Sequence, residues 1–256
     1  MEGGELAPMS DDMTPITRES LVKQLRSLGV FVGSTVMVHA SLRRVGPIDG
    51  GATALIEALS ESIGPEGTLV MVLGSPDGQV FHPKTTPVDT DEMGFLAEVF
   101  RRHPGVEVND HAGSRFAALG PCAKVLLEPT PLHDSYGPGS VLERLVARDG
   151  VVLRLGSDID TVTLTHHAEY FARVPNKKRV RRRVIRHDVG EQWIESLDDT
   201  DGITTWKGGD YFSQIFLDYR ALGEVKLGPV GHCTAELLQG QPFVQFAIDW
   251  MNRNLA

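Results

Sequence analysis

Four short β-prone runs recur along the chain: "TVMVHAS" at 35–41, "TLVMVLG" at 68–74, "RFAALG" at 115–120 and "VVLRLGS" at 151–157. Three of them are almost continuously apolar, so neither face of such a strand tolerates water. Segments with helical spacing separate or follow them: "GATALIEALSESIGPEG", "MGFLAEVFRRHPG", "SVLERLVARDG" and "TLTHHAEYFARV". Strands that need cover on both faces, alternating with helices that supply it, predict a layered α/β/α domain with a largely parallel central sheet. An opening helix is expected from Thr17, which can cap it. Leu21, Leu25 and Leu28 fall at helical spacing and Gly29 stops it. "YFSQIFLDYRALG" and "QPFVQFAIDWMNRNL" read as closing helices.

The stretch "KRVRRRVIRHDVGEQWIESL" breaks this rhythm, since two β-prone runs flank "HDVGE". It predicts a hairpin, and residues 178–205 are read as a small β lobe inserted over the substrate cleft. Residues 1–13, acidic and without an apolar core, read as a disordered lead-in, and 14–256 as a single domain. The basic run is read as the solvated face of the hairpin, with Val180, Val184 and Ile185 as its apolar partners.

The formal net charge is −9 over 256 residues, which disfavours nucleic acid and suits a cationic small molecule if the acids line a cleft. Only Cys122 and Cys233 are present, far apart and outside any CxxC, so neither a disulfide framework nor a zinc–thiolate site is expected. No secretory leader or membrane-length apolar run is read, and a cytoplasmic protein, monomer or homodimer, is expected.

Ligands of open α/β sheets gather beyond the carboxyl ends of the strands. Those ends carry "HAS" at 39–41, "GSPDG" at 74–78 and "GSDID" at 156–160. Just past the last lies "TLTHHAE". On a helix, His166 and Glu169 share a face, and a carboxylate beside an imidazole orients the ring and raises its basicity. His167 points about 100° away, so at most one of the two histidines meets a given ligand. Thr161 or Thr163 is expected to cap the first turn. A buried histidine satisfied by a neighbouring acid fits the same pattern. No HExxH, GxSxG, P-loop or GxGxxG motif occurs, and no metal is expected.

The order of four segments resembles the aminoglycoside 3-N-acetyltransferase family. They are "VMVHASLRRVGPIDGGATALIEAL", "GPEGTLVMVLGS", "GSVLERLVARDGVVLRLGSDIDTVTLTHHAEYFARVPNKKR" and "GPVGHC". The family's T-x-x-H-x-A-E pattern is met by Thr163, His166, Ala168 and Glu169. The resemblance implies direct transfer, in a ternary complex, of an acetyl group from acetyl-CoA to the 3-amino group of a deoxystreptamine antibiotic. His166 matches the general base and Glu169 its orienting partner. On chemical grounds the Thr163 hydroxyl or backbone N–H groups at the helix start are the candidate oxyanion donors. It further implies a cofactor-binding set of His39, Ala40, Ser41 and Val45, with His111 and Ser140. For the drug it implies Asp77, Asp160, Asp199 and Asp201. Two departures stand out. "VNDHAG" replaces the common R-S-x-H-P, which bears on a cofactor contact, and "FHP" replaces F-D-P, which bears on antibiotic choice. Acetylation of another cationic amine, or non-catalytic binding of a cation, are the rival readings.

Overall fold

The structure is a computed structural model that describes residues 14–76, 78–175, 177–198, 206 and 208–255. From the amino end come α1 (Arg18–Leu28), β1 (Thr35–Ala40), α2 (Leu42–Val45), α3 (Gly51–Ile63), β2 (Thr68–Val72), β3 (Val80–Phe81), α4 (Thr90–Met93) and α5 (Phe95–Arg102). Then follow β4 (Glu107–Val108), β5 (Phe116–Leu119), α6 (Ala123–Leu126), α7 (Val141–Val146), β6 (Val151–Leu155) and α8 (Leu164–Glu169). The chain closes with β7 (Arg179–Arg186), β8 (Gly190–Leu197), α9 (Tyr211–Ala221), β9 (Lys226–Val230), β10 (Cys233–Gln239) and α10 (Gly240–Asn254).

Strands pair in the order β4-β5-β2-β1-β6-β10-β9. β1 is parallel to β2 on one side and to β6 on the other, whereas β5, β4, β10 and β9 join through antiparallel pairs. It follows that β4, β2, β1, β6 and β9 run one way and β5 and β10 the other. The layered α/β class read from the sequence is the fold, and within this sheet direct parallel pairing is confined to the three central strands.

Both faces of those strands are sealed, as their apolar runs demand. Val36 and Val38 of β1 join a cluster with α1, α3 and α5, while Met37 joins the opposite cluster with α7, α8, α9 and α10. This is the two-residue alternation of a pleated strand. Val36 and Met37 are fully buried, and truncating such a side chain to alanine typically costs about 2–5 kcal/mol. α1 begins and ends where the sequence says. Thr17 Oγ1 accepts from the Ser20 N–H at 3.2 Å, and Gly29 takes the left-handed conformation at φ 109°.

The arginine-rich stretch forms an antiparallel β7–β8 hairpin, extended by parallel pairing of β3 with β7. Along β7 the more buried positions are Val180, Arg182, Val184 and Arg186, and the outward ones are Arg179, Arg181, Arg183 and Ile185. Residues 1–13 and 199–205 lie outside the described residues. No helix among the described residues is long and apolar enough to cross a membrane.

Candidate active site

A cleft of about 840 Å³ opens beyond the carboxyl ends of β1, β2 and β6. His39, Ala40 and Ser41 enter it from β1, Met71 and Val72 from β2, and Ser157, Asp158 and Asp160 from the exit of β6. Thr161 to Thr163 and His166 lead into and onto α8. Asp91 and Glu92 come from α4, and Arg182 comes from β7. Carboxylates thus stand on two sides of the cavity.

His166 is held edge and face. Its ring stacks on Tyr136 at 5.5 Å between centroids and meets Phe212 edge-on at 4.8 Å. Nδ1 is buried and lies 3.5 Å from Glu169 Oε2, the i,i+3 relationship read from the sequence. Glu169 is itself buried, with its side chain 1% exposed. Its other oxygen, Oε1, accepts from Lys177 Nζ at 2.7 Å and from the Tyr211 hydroxyl. Burial alone would raise the Glu169 carboxyl, but His166 and Lys177 outweigh it and hold the group below its ordinary value. His167 turns the other way and donates from Nδ1 to the Tyr136 carbonyl at 2.7 Å. Burial lowers its proton affinity. One histidine of the pair faces the cleft and the other is structural.

His39 is buried in the cleft wall, and its Nε2 has no protein partner among the described residues. Burial, together with the Arg154 guanidinium, brings its pKa down to about 3. Ser157 Oγ in the same wall is likewise buried and unpaired among the described residues. Arg154 is fully enclosed. It pairs with Glu236, donates to the Asp158 and Thr161 carbonyls, and lies 3.9 Å over the Phe216 ring.

Of the residues singled out in the sequence, His166, Thr163, His39, Ala40, Ser41 and Asp160 are brought together here. Glu169 stands directly behind His166. Asp77, Asp199 and Asp201 lie outside the described residues. Val45, His111 and Ser140, to which the resemblance implied a cofactor role, are not among the residues that line this cleft. Val45 is fully buried in the core, and its carbonyl accepts from the His232 N–H at 2.8 Å. His111 donates from Nε2 to the Pro131 carbonyl and accepts the Gly113 N–H at Nδ1. Ser140 caps α7 by accepting from the Glu143 N–H at 3.1 Å. The polar groups of these residues are already committed within the protein.

The capping expectation is corrected. Thr163 occupies the N-cap position of α8 with helical φ and ψ, and its side chain makes no capping bond. Thr161 Oγ1 donates instead to Asp160 Oδ1 at 3.4 Å. At the two departures from the family pattern, polar side chains bond within the protein. His82 Nδ1 accepts the N–H groups of Lys84 and Thr85, and Asn109 bridges the Phe116 N–H and the Ser114 carbonyl.

Sequence reasoning missed Asp91 and Glu92, although the acid run "DTDEMG" ending at a glycine was a usable signal. It also missed Arg182, Lys177, Tyr136 and Tyr211, which reach the site only through the tertiary fold.

Comparison with known proteins accords with this geometry. A model of the aminoglycoside 3-N-acetyltransferase family matches residues 37–252. The chain is 35% identical to aminoglycoside N(3)-acetyltransferase III of Pseudomonas aeruginosa, over 95% of this chain and 96% of that one. Among solved structures it resembles AAC-IIIb in a binary complex with CoASH, with a TM-score of 0.89 and 32% identity over 95% of this chain and 98% of that one. It also resembles AAC-VIa bound to sisomicin, with a TM-score of 0.88 and 32% identity over 95% of this chain and all of the other. The chain belongs to the aminoglycoside 3-N-acetyltransferase family, and it is an acyltransferase.

Proposed function

We propose that the chain transfers an acetyl group from acetyl-CoA to the 3-amino group of the 2-deoxystreptamine ring of an aminoglycoside, in a ternary complex, with His166 as general base. In a cell the consequence would be cytoplasmic resistance to the drug. The observation that carries this reading is His166 itself, an imidazole on the wall of an acid-bearing cleft with its Nδ1 against a buried carboxylate.

A polycation suits the cavity because Asp91, Glu92, Asp158 and Asp160 line it, and charge-assisted hydrogen bonds to ammonium groups are stronger than neutral ones. The residues present also fit a donor rich in amide groups. His39 Nε2 and Ser157 Oγ are buried polar atoms that lack protein partners among the described residues, with Ala40 and Ser41 beside them. Acetyl-CoA supplies the acyl group in thioester form.

The work left to the protein is proton handling. An aminoglycoside amine is mostly protonated near neutral pH, and His166 removes that proton so that nitrogen can attack the thioester carbon. As the C–N bond forms the C–S bond breaks, and the second N–H proton ends on the departing thiolate, leaving amide and free CoA thiol. Glu169, behind Nδ1, orients the ring and balances the imidazolium that results. Thr163, whose hydroxyl caps nothing, is assigned to the acetyl carbonyl oxygen. Direct transfer is favoured because neither cysteine lines the cleft, and burial raises the Cys233 thiol.

The test is acetylation of a drug panel that includes gentamicin and apramycin, with thiol release followed and the modified nitrogen located by mass spectrometry. Modification at N3 is expected. His166→Ala is expected to lower kcat by ~10²–10⁴ in a folded protein. Near-normal turnover in that variant would remove the base assignment, and thiol release without an acetylated drug would remove the substrate.

A further inference from the structure

The cleft accounts for one oxygen of Glu169, and the other is occupied from behind by two groups that the reaction as described does not use. Lys177 follows α8 and is almost fully enclosed, its side chain 3% exposed. Its ammonium lies 2.7 Å from Glu169 Oε1, 3.3 Å from the Tyr211 hydroxyl, and 5.8 and 5.9 Å from the centres of the Phe212 and Tyr211 rings. Tyr211, at the start of α9, donates to the same Oε1. A buried ammonium is costly unless paired, so its enclosure here calls for a role.

We propose that Lys177 and Tyr211 are positioning residues for acetyl transfer: they hold Glu169 by Oε1, turn Oε2 toward His166, and set how strongly the Glu169–His166 pair attracts a proton. The inference rests on the reading of His166 as base.

The physical argument concerns charge. Glu169 alone would make the imidazole a strong proton acceptor, slow to give the proton up. With Lys177 against the carboxylate, the pair Glu169–Lys177 is close to neutral, and the attraction for an added proton falls. A cation beside two coupled groups disfavours protonation of either, so removing it raises the pair's proton affinity whichever of the two takes the proton. The other titratable groups around His166 are Tyr136 stacked on the ring, and His39, Asp91, Glu92, Asp158, Asp160 and Arg182 across the cleft. All of these are unchanged by substitution at 177 or 211.

The experiment has two readouts: an NMR titration of the His166 ring in the free protein, and the acid limb of the kcat–pH profile with a drug identified as a substrate. Lys177→Met is expected to move both midpoints up by about one pH unit or more. Tyr211→Phe, which removes a neutral donor to the carboxylate, is expected to move them the same way by less. Lys177→Arg, which restores the charge, is expected to return them toward the wild-type values. Midpoints unmoved in Lys177→Met, whatever the loss of activity, would overturn the inference and leave Lys177 a structural anchor. If that variant does not fold, an unmoved midpoint in Tyr211→Phe overturns it in its place. A dead His166→Ala beside unmoved midpoints would sink this inference alone, whereas an active His166→Ala would sink the base reading first.

Discussion

His39 on β1 and Arg154 on β6 stand opposite each other in the parallel register, so an imidazole and an enclosed guanidinium share one rung of the central sheet. Burial and that neighbour keep the imidazole neutral far below its ordinary value of 6.5, down to about 3. In the unfolded chain the same ring takes up a proton near the ordinary value. The unfolded state therefore binds more protons between these limits, and stability falls as pH drops from 6.5 toward 3. His111 and His167, also depressed by burial, act in the same direction.

Thermal unfolding followed against pH should show this loss beginning above the carboxylate range. Glu98, lowered from 4.5 to about 2 by Arg101 against the opposing effect of burial, adds its own loss only as pH falls through that lower interval. His39→Asn should reduce the slope all the way from pH 6.5 to about 3, leaving below 4.5 the part that Glu98 contributes. An unchanged slope in the variant would mean that His39 is not what titrates on unfolding.

The acids of the cleft should act on binding rather than on chemistry. Asp160→Asn and Asp91→Asn are each expected to raise KM for an accepted aminoglycoside by about tenfold with kcat nearly kept, the effect of one lost charge-assisted contact. The deficit should shrink as salt is added, because screening weakens the wild-type attraction as well. Steady-state kinetics at two ionic strengths measure both effects.

Arg115 should matter for stability without touching substrate. Fully buried at the start of β5, it donates to the carbonyls of Pro83, Gly74, Thr86 and Pro87 at 2.6–3.4 Å and so ties down the loop between β2 and α4. Arg115→Met strands several buried carbonyls, each worth about 1–3 kcal/mol when left unsatisfied. A lowered midpoint in urea denaturation checks this, with little change in slope.

Gly120 sits at φ 134°, and a Cβ there would run into the Gly67 carbonyl and stand 2.7 Å from Thr68 Oγ1. Gly120→Ala combines a disfavoured backbone with a clash against main chain, and a loss of at least ~2 kcal/mol is expected. Gly51→Ala also has positive φ but open space around the new carbon, and should cost less by the same denaturation assay.

How much of this was legible in the sequence depended on distance along the chain. The three buried parallel strands and α1 were readable because their signals are local: continuous apolar runs, a capping Thr17, a terminating Gly29. The His166–Glu169 pair was readable for the same reason, being three residues apart on one turn. β9 and β10 were not, since "KLGPV" carries little strand signal and Glu236 of β10 looks exposed until its partner Arg154 is brought across from β6. Lys177 was hidden inside a basic run in which Arg179, Arg181 and Arg183 do face solvent, and nothing local separates it from them. Val45, His111 and Ser140 show the opposite relation, lying in a recognisable motif yet away from the lining of the cleft. Their position in a recognisable motif said nothing of whether their polar atoms were already taken.

The short strand β3 gives the wall carrying Arg182 an unexpected stiffness. Val80 and Phe81 pair with Ile185 and Arg186, the Phe81 carbonyl accepts from the His187 N–H, and Arg186 grips Asp110 from the same end. Main-chain bonds of this kind survive almost any side-chain replacement. Ligand preference should thus change by exchanging the inward residues around position 182, with the aperture's frame left unaltered.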